Sequence, residues 1–232
     1  MTNLVSLDQT IVDVQRDFKK LLQKTYTLIQ KYNNAYGDED GRVEFFVQYF
    51  LLNLWLLIQF DSFLEVFARR SNRVSRHVQL APQDAIQFMS QYDTINRASY
   101  CTKAMFNIEI FLKNLAKGLG KKTDIGYRTL TRTIKDSLSL TEAQFDILNV
   151  LTRVRNSLHN NGYHTEEDFE VVIRGKSYKF EENKQVKFSG WDNLYIMFDE
   201  LLDVMVVIIE STEVKQLAKI PYNTSVTYHD IQ

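Results

Sequence analysis

The chain has 232 residues, of which 44% are hydrophobic, so it is long enough and apolar enough to bury a substantial core. Its 28 basic and 29 acidic residues give a net charge of -1, which excludes binding of nucleic acid through overall positive charge and confines any such contact to a local patch. The single cysteine, Cys101, excludes an internal disulfide, and the four histidines form no recognisable zinc pattern. We therefore expect no metal or other cofactor and a reducing compartment, the cytoplasm.

The most apolar stretch, from Phe45 to Phe60, raises the question of a membrane span. It contains Gln48, Asn53 and Gln59, and it is shorter than the roughly 20 apolar residues that a span requires. We interpret it as a buried central helix and expect no membrane association. The first residues, Met1 to Asp13, have neither the basic start nor the apolar run of a signal peptide.

Apolar residues recurring three and four positions apart predict a succession of helices, with glycine and proline marking the breaks. In chain order these are Leu7 to Ala35, Arg42 to Arg70, a segment opening at Pro82, Ser99 to Leu119, Asp124 to Leu138, a helix that follows capping residues at 139–142 and ends at Asn160, and Trp191 to Leu217. The stretch of residues 42–70 is apolar nearly all round in its middle third, which places it at the centre of the bundle.

After Gly162 the apolar residues alternate instead, which predicts a small β-hairpin or meander at about residues 168–189. We expect Pro221 to end the last helix and residues 221–232 to form a loose tail. The predicted fold is mainly α, a helical bundle with a small β-hairpin inserted before the last helix. No repeat or linker is visible, so residues 1–232 are predicted to form a single domain.

The most basic stretch of the chain lies between Arg69 and Pro82 and contains Arg69, Arg70, Arg73, Arg76 and His77. One interpretation is a strip that contacts phosphate or RNA. The other, which we favour, is a solvated helix end whose arginines complement the negative end of the helix dipole.

The helix of residues 151–160 carries the most distinctive polar pattern. Ile147, Leu151, Val154 and Leu158 fall on one arc of an ideal helix, and His159 lies roughly 40° from Arg155 around the axis. These two residues therefore share one edge of the apolar face, which Thr152 and Asn156 continue, whereas Arg153 points to the far side. Charged or polar side chains beside an apolar stripe require a partner or a ligand.

The run Arg155-Asn156-Ser157-Leu158-His159-Asn160-Asn161-Gly162 resembles the signature of HEPN domains, all-helical nucleotide- and RNA-binding domains found in many toxin–antitoxin and antiviral systems. Their motif is an Arg, often followed by Asn, Asp or His, and a His on the same late helix, with four to six residues between the Arg and the His. The spacing from Arg155 to His159 is shorter than that, since only three residues separate them, while Arg153 satisfies it. Which of Arg153 and Arg155 is the motif arginine stays open.

The resemblance implies a metal-independent endoribonuclease of the toxin or antiviral defence type. Arg155, His159 and Asn156 would then be catalytic, and Arg153, Asn160 and Tyr163 would contact RNA. The Arg would stabilise phosphate charge while the His moves a proton. One motif per chain implies a homodimer with both sites facing each other, and an antitoxin or other partner protein fits the same context.

Two alternatives compete with the nuclease. The chain could be a non-catalytic HEPN-like module that binds a nucleotide or a partner protein. Arg155, Asn156 and His159 could also be polar residues that satisfy a helix end and anchor the hairpin, with Asn161 and Gly162 as the stop.

Overall fold

The computed structural model describes residues 2–63, 82–160, 162–186 and 190–222. In chain order its elements are α1 (Thr2–Tyr36), α2 (Gly41–Phe63), α3 (Pro82–Gly118), α4 (Tyr127–Leu138), α5 (Glu142–His159), β1 (Phe169–Ile173), β2 (Lys176–Phe180), α6 (Gly190–Glu210) and the short α7 (Thr212–Lys215). This arrangement confirms the mainly α bundle with a hairpin before the last long helix. The predicted basic stretch at residues 69–82 falls outside the described residues except for Pro82, and so does most of the predicted tail.

Helix α2 packs against both α1 and α3. On the face that these helices cover, Phe45, Phe46, Tyr49 and Leu56 have no solvent exposure. The central position predicted from its apolar composition therefore holds for that face, while its opposite face is exposed. Burial of such large side chains is the main favourable contribution to the stability of the bundle.

The start of α2 is fixed by a buried ion pair that the sequence analysis did not anticipate. Asp40 caps the helix, since its Oδ1 accepts from the backbone N–H of Arg42 at 2.8 Å, and its two oxygens bind the Arg42 guanidinium at 2.7 Å each. Arg42 also donates to the carbonyls of Val214 and Leu217. The pair therefore ties the segment after α6 to the beginning of α2.

One helix of the described part, Gly41–Ser62, is long and apolar enough to cross a membrane, with a mean hydropathy of 1.5. Half of this window is buried inside the protein. Because α1 and α3 cover that half, we interpret α2 as a core helix.

Helix α3 is a single helix of 37 residues, whereas the sequence predicted two separate segments. The expected break before Ser99 is absent, since residues 83–117 contain no glycine or proline to interrupt the helix. Within this stretch Arg97 pairs with Asp93, one turn earlier, at 2.9 Å.

The last long helix is shorter than predicted. Helix α6 ends at Glu210 and not beside Pro221, because Ser211 adopts an extended backbone and its hydroxyl bonds the Ile208 carbonyl at 2.8 Å. Helix α4 likewise starts at Tyr127, three residues after the predicted start at Asp124, since Gly126 is its extended N-cap residue.

The hairpin consists of β1 and β2, paired antiparallel through a two-residue turn at Arg174 and Gly175. Both turn residues have positive φ, 46° and 77°, which is the type I′ geometry that suits the twist of a hairpin. The predicted meander is present only in part: Gln185 forms an isolated bridge with Tyr163, and residues 187–189 lie outside the described part.

Candidate functional site

Helix α5, which carries the HEPN-like run, has a defined start and end. Thr141 caps its N-terminus in a capping box with Gln144, at 3.3 and 2.9 Å, which confirms the predicted capping segment. At the other end Gly162, with φ of 87°, donates its N–H to the Ser157 carbonyl at 2.7 Å. This left-handed glycine reverses the chain, so the residues after it fold back along α5.

The apolar stripe of α5 lies where the sequence predicted it. Ile147, Leu151 and Val154 are buried against the bundle. Positions 155 and 159 lie within the helix, one turn apart. The side chains of Arg155, Leu158 and His159 lie outside the described part of the structure.

Arg153 is buried, with 7% of its surface exposed. The prediction placed it on the far side of α5, and that side is covered by the loop that follows Gly162. Its Nη1 donates to the backbone carbonyl of Glu167 at 2.9 Å, and the guanidinium stacks over the Phe169 ring, 4.4 Å from the centroid. Arg153 thus holds the hairpin against α5 and does not face solvent as a predicted RNA contact would.

His164 is the residue that the sequence analysis missed. It is 1% exposed, and its Nε2 lies 3.0 Å from both the Arg153 Nη1 and the Glu167 carbonyl oxygen. A ring nitrogen cannot donate and accept at once, so only one of these two contacts is a hydrogen bond of the ring. We assign the hydrogen to Nε2, which donates to the carbonyl, because the opposite tautomer would leave a buried N–H at Nδ1 without a partner among the described residues.

The Glu166 carboxylate contacts three side chains beside the buried contact of Arg153 with His164. Its Oε1 accepts from the Asn156 amide at 2.8 Å, and its Oε2 lies 3.4 Å from Arg128 of α4 and 3.6 Å from Arg153. We call Arg128, Arg153, Asn156, His164 and Glu166 the α5 exit cluster. Asn156, predicted to be catalytic, is therefore engaged by a carboxylate of its own chain.

The surroundings of Arg153 compensate its buried charge only in part. Burial lowers the pKa of Arg153, while the nearby Glu166 carboxylate raises it and Arg128 lowers it further. An arginine remains charged despite such a decrease, so the cluster contains a permanent buried cation beside a partly buried carboxylate.

Two predicted RNA contacts do lie at the surface of this end of α5. Asn160 is exposed and donates to the Thr165 hydroxyl at 3.1 Å, and the Tyr163 ring is about half exposed. With Arg128, whose side chain is 47% exposed, they form the accessible rim of the cluster. The rim offers hydrogen-bond donors, one cation and an aromatic ring, which are groups that bind single-stranded RNA.

The sequence does contain a signal that His164 lies beside α5. A glycine that reverses the chain after a helix brings the next residues back along that helix, and His164 follows Gly162 by two positions. An arginine on the covered side then needs acceptors, which the loop supplies as Glu166 and the Glu167 carbonyl.

No family model matches the chain, and no curated protein or solved structure proves similar to it. Among the described residues, no group of three or more His, Cys, Asp or Glu could hold a metal ion.

Proposed function

We propose that this chain is a HEPN-like protein that cleaves RNA without a metal ion at the exit end of α5, in the manner of a toxin or antiviral defence nuclease. The reacting residues are Arg155 and His159, and the exposed Asn160 and Tyr163 contact the RNA strand. Asn156 orients the site through its bond to Glu166.

The observation that carries the proposal is the burial of Arg153. Its Nη1 is bound to the Glu167 carbonyl and its guanidinium covers the Phe169 ring, so it is not available to a phosphate. The arginine position left for the motif is 155, one helical turn before His159. The burial of Arg153 therefore supports Arg155 as the motif arginine of this proposal.

The chemistry requires only these residue types. His159 removes the proton from a ribose 2′-hydroxyl, whose oxygen attacks the adjacent phosphorus while the bond to the 5′-oxygen breaks and that oxygen gains a proton. Arg155 neutralises the charge that develops on the phosphate oxygens. The products are a 2′,3′-cyclic phosphate and a 5′-hydroxyl.

The test is incubation of a labelled single-stranded RNA with purified protein in EDTA. We expect cleavage with cyclic phosphate ends, and loss of cleavage in Arg155→Ala and His159→Ala at unchanged thermal stability. Arg132→Ala is the matched control, since Arg132 is an exposed arginine on α4 away from the motif. Cleavage that persists in both motif variants contradicts the site.

We further propose that the protein acts as a cytoplasmic homodimer in which the two exit ends of α5 face one another. One motif per chain supports this arrangement, and the buried free thiol of Cys101 fits a reducing compartment. Light scattering should give about twice the 27.3 kDa mass of one chain. A monomeric mass for an active enzyme would contradict the dimer.

A second candidate function is a non-catalytic HEPN-like module that binds a nucleotide or a partner protein. The observation in its favour is the pair of carboxylates at the exit cluster, since Glu166 binds Asn156 and the exposed Glu167 lies within 4 Å of Arg153. Carboxylates at this position repel the phosphates of RNA and of a nucleotide alike and attract basic side chains, so this observation favours a partner protein over either phosphate ligand. In this case RNA stays intact, and adding ATP or GTP, or an antitoxin-like partner, raises the melting temperature of the wild type but not of Arg155→Ala.

A further inference from the structure

Strand β1 has one edge that no other strand covers in the described structure. The register pairs Ile173 with Lys176 across the two-residue turn, so these two residues exchange both backbone hydrogen bonds. Because the pattern alternates, Glu170 and Val172 direct their N–H and C=O groups away from β2. No described backbone group outside the hairpin bonds to them.

This free edge borders an open groove of about 310 Å³ between the first turns of α5 and the middle of α6. Four consecutive residues, 171–174, form one wall, which shows that the groove runs along the strand. Its apolar surface comes from Ala143 and Ile147 of α5 and Val204 of α6. Val172 stands beside it with 64% of its surface exposed.

The charge at the groove is negative. Asp146 and Glu200 lie on its two helical walls. The one cation in its lining, Arg174, is already bound by Asp199 at 2.5 Å, by Glu200 and by Asp203 at 3.3 Å. A positively charged segment should therefore bind in the groove more tightly than a negatively charged one.

We propose that this groove, the β1 groove, binds an extended segment of a partner protein in which apolar residues alternate with Lys or Arg. The segment adds to β1 as a third strand, with its backbone paired to Glu170 and Val172. Its apolar side chains pack on the exposed Ala143 and Val172, and its basic side chains reach Asp146 and Glu200.

Two occupants from this chain fit less well. Residues 223–232 contain Asp230 and no Lys or Arg, so that segment has no positive charge with which to meet the carboxylates. A second copy pairing through its own β1 would bring Glu170 and a second acidic groove to the interface.

The β1 groove and the proposed cleavage site lie at opposite ends of α5. From Gln144 to Ser157 the helix rises about 20 Å. Failure of one proposal therefore leaves the other intact, and a partner bound at the groove would leave the exit cluster accessible.

The test is selection from a displayed library of random ten-residue peptides on the full-length protein, followed by affinity measurement of synthetic copies. We expect enriched peptides that alternate apolar and basic residues. Val172→Pro should weaken the binding of these peptides at least tenfold, because it removes an outward N–H that does not bond to β2. Val172→Ala is the matched control. It keeps that N–H and should weaken the binding of the peptides less.

A charge exchange tests the same surface without altering the strand. Asp146→Lys should weaken the binding of the selected peptides. It should strengthen the binding of copies of those peptides in which Lys is replaced by Glu. The proposal is overturned if no alternating basic peptide is enriched, or if the selected peptides bind Val172→Pro and Asp146→Lys as tightly as the wild type. Should Val172→Pro fail to fold, the charge exchange alone decides.

Discussion

Arg153 carries its charge inside the protein, where the Glu167 carbonyl, the Glu166 carboxylate and the Phe169 ring replace water. These groups belong to the segment after Gly162 and to the first residue of β1. Arg153 thus contributes, with Asn156 and Asn160, to holding that segment against α5. The same contacts keep His164 enclosed, since its Nε2 shares the Glu167 carbonyl with the guanidinium.

We predict that Arg153→Ala lowers the free energy of unfolding by about 3 kcal/mol, because it leaves a cavity where a buried side chain packed on the Phe169 ring and it removes the hydrogen bond to the Glu167 carbonyl. Arg132→Ala, an exposed arginine one helix away, should change it by less than about 0.5 kcal/mol. Urea unfolding followed by circular dichroism measures both. Equal effects of the two changes would contradict the structural role of Arg153.

Glu210 provides a residue-scale prediction about pH. Hydrogen bonds from Lys215, Lys31 and Tyr32 lower the pKa of its carboxyl to about 2, against a small opposing effect of burial. A lowered pKa in the folded state contributes stability that is present above the unfolded pKa and lost as the pH falls from about 4.5 towards 2.

Glu210→Gln should therefore destabilise the protein near neutral pH by about 1 kcal/mol, a modest effect because solvent screens a partly exposed carboxylate. The difference from wild type should shrink as the pH falls from about 4.5 and become small by about pH 2, where about half of the wild-type carboxyl is also protonated. Melting temperatures of both proteins across this range provide the measurement. A difference that stays constant would show that the ion pairs are not its source.

At the scale of elements, the corner between α4 and α5 contains a strained residue. Ser139, which follows α4, has φ of 53°, and its backbone N–H donates to the Lys135 carbonyl. A side chain in this left-handed conformation costs roughly 1 kcal/mol relative to glycine.

We expect Ser139→Gly to raise the free energy of unfolding by up to about 1 kcal/mol. The matched control is Ser137→Gly, two residues earlier and inside α4, which should lower it by about 0.5–1 kcal/mol because glycine is unfavourable within a helix. Opposite signs from the same substitution two residues apart would confirm the conformation of the corner.

Periodicity predicted the helices well where the apolar stripe was regular. The stripe of α5 and its capping residues at 139–142 were found in this way, as was the alternation of β1 and β2. Errors arose where a single polar residue decided the outcome, as at Ser211, which ends α6 early. The contact of Arg153 with His164 was missed because it depends on how the loop after Gly162 folds back, which is a tertiary property with no periodic signal.

At the scale of the whole molecule, α2 has two different faces. One is enclosed by α1 and α3, and includes the fully buried Leu56. The other carries Leu51, Leu54 and Ile58, which are 49%, 37% and 52% exposed. These three residues follow one another at helical spacing and form an apolar stripe on the surface.

We predict that Leu51→Gln and Ile58→Gln change the free energy of unfolding by less than about 0.5 kcal/mol each, since both side chains already contact water. Leu56→Ala should lower it by about 2–5 kcal/mol because it opens a cavity in the core. Urea unfolding of the three variants tests the orientation of α2. A large loss in the glutamine variants would mean that the stripe is covered in solution.

Helix α3, with 37 residues, is about 55 Å long. A sphere with the radius of gyration expected for a chain of this size, about 17 Å, would be only about 45 Å across. A helix longer than that sphere gives the molecule a long axis. Rotation in solution should therefore be anisotropic, and the nitrogen relaxation rates of amides in a helix should depend on the angle between that helix and α3.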